Sequence, residues 1–215
     1  MPNISISNRN WNKAYKNKHT PWRDKEFLWL NKKLRLVKNK TALDLGCGTG
    51  EASHLLSAKG YKVTGIDFSK EALKEVSKKI KTVYWDLEGV GQLGLEEESY
   101  DLILDSKVLA FIRNKNQYLK IVSHILKKNG KFIIQGFLKN PKKHICLMPK
   151  DLQLIRKYFE ITKSHIIIGE KSEWFVYILK RHSLKQHKQD LPTATIDSKL
   201  ISVIMLFSKW PMGAF

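Results

Sequence analysis

Only two cysteines, Cys47 and Cys146, occur in 215 residues, which excludes both a disulfide-stapled scaffold and a cysteine-built zinc site. A reducing cytoplasm is the compartment expected for such a chain. The opening Met1-Pro2-Asn3-Ile4-Ser5-Ile6-Ser7 lacks the charged start and apolar stretch of a secretory signal. No apolar run approaches the roughly 20 residues that span a bilayer, so no membrane span is expected. Acids are scarce too: 20 Asp and Glu stand against 39 Lys and Arg, for a formal net charge of +19. Nucleic acid is the obvious partner for such a surplus. The lysines, however, are spread as Lys32-Lys33, Lys78-Lys79, Lys127-Lys128 and Lys142-Lys143, and they outnumber the arginines on which base and bidentate phosphate recognition depends. This favours a solvated basic surface, with nucleic-acid binding as the alternative.

What the chain does have is the run Thr41-Ala42-Leu43-Asp44-Leu45-Gly46-Cys47-Gly48-Thr49-Gly50, a short apolar strand feeding a glycine loop and then a helix from Glu51. Such a loop turns sharply and leaves no side chain between its amides and a ligand. A dinucleotide fingerprint needs glycine or alanine three residues beyond Gly48, where this chain has Glu51. A glutamate at a helix start opposes a pyrophosphate at the place where the macrodipole attracts anions. The loop therefore suits a ligand without phosphate. S-adenosyl-L-methionine is one: it presents a carboxylate, an ammonium, a ribose diol and a positive sulfonium. Residues 61–69 alternate toward a second strand whose acid, Asp67, lies about 20 residues past the loop, where a carboxylate accepts both ribose hydroxyls. Phe68 then lies along the adenine edge.

The string Asp44-Leu45-Gly46-Cys47-Gly48-Thr49-Gly50 resembles the D-x-G-x-G-x-G loop of class I S-adenosylmethionine-dependent methyltransferases at every fixed place. The resemblance implies further positions. Asp86, in a third strand over residues 82–87, accepts from the adenine amino group, with Leu87 beside it. Asp105 ends a fourth strand over residues 100–106, beneath the methionine part of the cofactor. The implied cofactor-binding set is Trp22, Asp44, Gly46, Cys47, Gly48, Gly50, Asp67, Phe68, Asp86, Leu87 and Asp105. Any single acid at a strand end is as well read as a helix cap; four strand-end signals in order are harder to dismiss.

Three segments are expected. Residues 1–36 form an amino-terminal helical or lid segment, carrying Trp11, Tyr15 and Trp22, which either plug the top of the sheet or close over the sulfonium. A helix start is read at Thr20-Pro21, followed by an amphipathic stretch from Asp24 to Leu36. The W-x-x-x-Y and T-P-W elements are similar to the amino-terminal segment of the thiopurine, thiol and tellurite-resistance methyltransferase branch. Residues 37–181 form the methyltransferase domain, with helices over 51–59, 69–81, 116–128 and 151–159, a surface connection over 88–99, and strands over 131–137, 161–168 and 174–181. The fold class is α/β: a Rossmann-like, seven-stranded, mostly parallel sheet with an antiparallel last strand and helices on both faces. Residues 182–215 are an extension whose apolar run over 200–207 reads as an added helix packed on the domain, or else as a partner contact.

Methyl transfer from a sulfonium requires alignment and exclusion of water more than a dedicated side chain, and no catalytic residue is assigned. Residues 105–112 lack the N-P-P-Y or D-P-P-Y string of adenine and glutamine amino-methyltransferases, and no Pro-Cys pair offers a cytosine-5 nucleophile. They also lack the family's histidines near Ala110 and Phe111, and His19, His144 and His165 read as surface or structural groups. The resulting expectation is a small-molecule acceptor that ionises unaided, such as a thiol, selenol or acidic hydroxyl, and no metal. An RNA or protein methyltransferase docking through the basic surface, and a non-catalytic cofactor-binding protein, are the two alternatives.

Overall fold

The computed structural model describes residues 8–17, 27–139, 149–168 and 173–182. Two helices, α1 (Asn8–Lys16) and α2 (Leu28–Lys33), precede the first strand β1 (Lys40–Leu45). Then come α3 (Glu51–Ala58), β2 (Tyr61–Asp67), α4 (Lys70–Leu73), β3 (Lys81–Tyr84) and a 3₁₀ segment over Leu87–Leu93. β4 (Tyr100–Ser106), a 3₁₀ turn at Leu109–Phe111, α5 (Lys115–Ile125), β5 (Leu126–Lys139), α6 (Pro149–Tyr158), β6 (Phe159–Ile168) and β7 (Glu173–Arg181) complete the fold.

The strands form one sheet in the order β3-β2-β1-β4-β5-β7-β6. β1, β2, β3, β4 and β5 pair in parallel, and β7 lies antiparallel between β5 and β6. This is the seven-stranded arrangement with an antiparallel last strand that the sequence resemblance implies. Central parallel strands are covered on both faces, so successive residues must each find a core. Leu43, Ile103 and Phe132 face Tyr118 and Val122 of α5 and Ile155 of α6. Their neighbours Ala42, Leu102, Leu104 and Ile133 face Leu30 of α2 and Ala52 and Leu56 of α3. The strand order reverses between β1 and β4, and the carboxyl ends of strands at such a reversal flank a ligand crevice.

Three elements depart from the sequence expectation. The helix expected over residues 69–81 starts as foreseen, with Ser69 Oγ accepting from the Ala72 amide at 3.2 Å, but α4 is a single turn. Beyond it the bonds tighten to three-residue turns, Glu75 to Ala72 and Val76 to Leu73, and the Ser77 amide donates to His54 Nε2 on α3 at 3.2 Å. A helix through residue 81 would leave nothing to reverse the chain into β3, which pairs Lys81 with Thr64. The helix expected to reach Lys128 ends at Ile125, because Leu126 turns extended and pairs with Tyr100. Its last carbonyls are taken by the Glu98 and Ser99 amides and by Arg181. The connection over 88–99 opens as a 3₁₀ segment that buries Leu87 and Val90. The helix start at Thr20-Pro21 and the extension beyond residue 182 lie outside the described residues. Among the described residues no helix is long and apolar enough to cross a membrane.

Candidate functional site

The glycine loop leaves the end of β1 with Gly46 at φ +67° and Gly48 at φ +55°, a left-handed backbone that favours glycine. Space imposes the same choice. A Cβ on Gly46 would collide with the Val108 side chain, and one on Gly48 would sit 2.9 Å from the Tyr15 hydroxyl. Gly50 is the residue before α3, and its carbonyl accepts the His54 amide. Between these positions the Cys47 amide donates to the Ile66 carbonyl of β2 at 2.9 Å, fastening the loop to the neighbouring strand. The Cys47 side chain is buried and burial pushes its thiol up, which makes it an inert packing group.

Carboxylates surround this loop. Asp67, at the end of β2, accepts the Gly48 amide on Oδ2 at 2.9 Å and the Ser69 amide on Oδ1 at 2.8 Å. One side chain thus ties the loop to the start of α4, and burial holds its carboxyl above the usual range. Asp44 on β1 is buried and accepts from Ser53 Oγ at 2.6 Å; burial, with Asp67, Glu51 and Asp105 nearby, pushes its carboxyl up to about 7. Asp105, fully buried at the end of β4, accepts from the Val108 amide at 2.8 Å, the Leu109 amide at 3.2 Å and the Tyr118 hydroxyl at 2.8 Å. Burial raises its carboxyl to about 6. Its bonds fix the turn that carries Val108 onto Gly46.

Asp44, Gly46, Cys47, Gly48, Gly50, Asp67 and Asp105 therefore gather at the carboxyl ends of β1, β2 and β4. Phe68 is half-buried between Asp67 and Ser69. The Trp85 amide donates to the Asp67 carbonyl at 3.0 Å, which brings Asp86 alongside the end of β2. Asp86 is exposed and caps the following 3₁₀ segment by accepting the Glu88 amide at 3.0 Å, while Leu87 packs into the core. Trp22 lies outside the described residues.

Helix α1 lies over the loop. Tyr15 stands above Gly48, Asn12 Oδ1 accepts from Ser69 Oγ at 2.7 Å, and Trp11 meets Phe111 edge-on with ring centroids 5.9 Å apart. The sequence pointed to Trp11 and Tyr15 but not to Asn12, whose contact spans 57 residues and carries no local signal. Sequence reasoning also missed Lys107, which directly follows β4 with φ +72°, is only 9% exposed, and has its amine pulled down to about 7 by burial. Of the described histidines, His54 and His124 are exposed, His165 packs beside Trp29 on the outer strand β6, and His182 directly follows β7.

The donor set can be tested against S-adenosylmethionine. The loop is a cradle that a Cβ would fill, and the charges that act on Asp44 beneath it, Asp67, Glu51 and Asp105, are all acidic in a chain of net charge +19. That field suits a cation and repels a polyphosphate, so the residues fit the cofactor that the sequence suggests.

Known proteins share the sequence and the fold. The chain is 30% identical over 157 residues to the ubiquinone biosynthesis O-methyltransferase of Pelagibacter ubique, covering 72% of this chain and 65% of that protein. It spans about half the length of other curated relatives. A TehB-like SAM-dependent methyltransferase of Corynebacterium glutamicum superposes with a TM-score of 0.62 at 18% identity, over 81% of this chain and 98% of the other. The 1,6-didemethyltoxoflavin-N1-methyltransferase of Burkholderia thailandensis, solved with its substrate and S-adenosylhomocysteine, superposes with a TM-score of 0.66 at 17% identity, over 82% and 87% of the two chains. Residues 36–190 match the family model described as a methyltransferase domain, and the chain belongs to that family.

Proposed function

We propose that the chain binds S-adenosylmethionine and methylates a small-molecule nucleophile. The observation that carries this reading is the ring of carboxylates around the glycine cradle, centred on the Asp67–Gly48 hydrogen bond. The bound cofactor supplies a methyl group on a positively charged sulfur, so the acceptor's lone pair forms the new bond as the carbon–sulfur pair returns to sulfur. The chain's own residues do the rest. Asp67 would accept the ribose hydroxyls, the amides of the glycine loop would face the methionine part, and Phe68 and Asp86 would flank the adenine, with the Leu87 side chain turned into the core. A bound sulfonium would draw the protons off the buried Asp44 and Asp105, and their charge would then favour it. α1, with Tyr15 over Gly48 and Trp11 against Phe111, shields the reacting end from water.

A small acceptor is favoured by that covering helix, and by relatives named for ubiquinone biosynthesis and for toxoflavin methylation. Transfer of a labelled methyl group is measured with panels of phenols, enols and thiols, and in parallel with total RNA. Label in a small acceptor supports the reading, and label confined to RNA overturns it.

A further inference from the structure

The turn after β4 breaks two local rules at one residue. Lys107 has a left-handed backbone, φ +72°, which side-chain-bearing residues avoid. Its side chain is 9% exposed, although lysine ordinarily keeps its charged head in water. Neither feature serves the core. Glycine or asparagine would take the backbone without strain, and an apolar side chain would be buried at no electrostatic cost. Strain of this kind persists only where the surroundings dictate it, and such places cluster at ligand sites. Here the surroundings do dictate it: the Lys107 amide donates to the Gln135 carbonyl at 2.7 Å, and Asp105 grips the amides of Val108 and Leu109.

The residue stands beside the crevice where the strand order reverses, on the β4–β5 side of the loop, whereas Asp67 marks the β2 side. Lys107 Nζ lies 5.6 Å from the centroid of the Phe137 ring on β5. A buried amine and an aromatic ring thus meet at the end of the sheet where an acceptor must approach. None of the described histidines occupies that place.

Building on the methyltransferase reading above, we propose that Lys107 is the acceptor-binding residue, its Nζ taking the hydroxyl proton of a phenol or enol held near Phe137 and staying beside the oxyanion. The proton moves from the acceptor oxygen to the nitrogen lone pair, which becomes an ammonium. After the oxygen has gained its methyl group, the ammonium releases the proton to solvent. Burial, which lowers the amine to about 7, keeps the neutral form available near neutral pH.

The test uses 4-nitrocatechol, a phenol whose ionised form absorbs at longer wavelength than its neutral form. It is titrated into the full chain with S-adenosylhomocysteine present, at a pH below the probe's own ionisation. An ammonium beside the oxyanion makes the bound probe ionise at a pH lower by about 1–3, so the long-wavelength band grows on binding. Lys107→Met and Lys107→Gln are each expected to abolish that growth, while calorimetry shows their S-adenosylhomocysteine affinity unchanged. If S-adenosylhomocysteine binds but the band is absent in the wild type, or persists in both variants, the role of Lys107 is overturned and the methyltransferase reading stands. If the wild type binds no S-adenosylhomocysteine, that reading fails and this inference with it.

Discussion

Gly46→Ala should destabilise the protein through one identifiable neighbour. Two costs add. An alanine at φ +67° occupies left-handed backbone, worth about 1–2 kcal/mol. Its Cβ also enters the space of the Val108 side chain, and overpacking of this kind costs about 1–3 kcal/mol. Val108 has little room to retreat, because its amide is held by Asp105, itself held by Tyr118. The expected loss is therefore about 3 kcal/mol, read as a lower urea midpoint at constant slope. Val108→Ala alone should cost about 1 kcal/mol, since the residue is half-buried. In the double variant the overlap disappears and only the backbone strain and the lost packing remain. The cycle should thus return a coupling of about 1–3 kcal/mol in the direction of relief. Additivity within about 0.5 kcal/mol, the behaviour of independent sites, would refute the packing of Val108 on Gly46.

Asp44 should make the protein more stable in mild acid. The folded state holds its proton up to about pH 7 while the unfolded chain releases it near 3.8, so stability falls as pH rises through that window, by up to about 4 kcal/mol. Asp44→Asn imitates the protonated form, so its stability relative to wild type should rise between about pH 4 and 7 and level off above; a pH-independent difference contradicts the buried, proton-holding carboxyl. Asp105, raised to about 6, has the same sign over a narrower window, and Asp105→Asn should show a smaller rise in the same urea titrations. Tyr118→Phe removes a hydroxyl from the Asp105 carboxylate and should cost about 1.5–3 kcal/mol in urea melts, with a loss under about 0.5 kcal/mol counting against that bond.

The glycine loop and the acids beyond it were legible because their signals are local. Asp44, Gly46, Gly48 and Gly50 lie within seven residues, and Asp67 ends an alternating strand. Strand β7 was also legible as an apolar run, and its antiparallel direction came through family resemblance, whereas its place between β5 and β6 left no mark in the sequence. What was not legible depends on distant partners. The helix over residues 69–81 has helix-forming composition throughout, yet His54, 23 residues away, takes the Ser77 amide and the β3 register requires a turn. Leu126 continues the apolar face of α5 in sequence, but its pairing with Tyr100 draws it into β5. Asp105 was expected beneath the methionine part, and the structure adds that its carboxylate is also the anchor of the turn holding Val108 and Leu109. Nothing in the sequence singled out Lys107, because neither a positive φ nor burial leaves a mark in composition.

The central claim, that the loop and Asp67 form a cradle for S-adenosylmethionine, is tested most directly by calorimetric titration of the full chain with S-adenosylmethionine, S-adenosylhomocysteine and NAD. The account predicts that the first two bind and NAD does not. It also predicts that Asp67→Ala weakens their binding by about 10–100-fold, the loss of one or two charge-assisted hydrogen bonds, with the fold intact. Preference for NAD, or an affinity indifferent to Asp67→Ala, would contradict it.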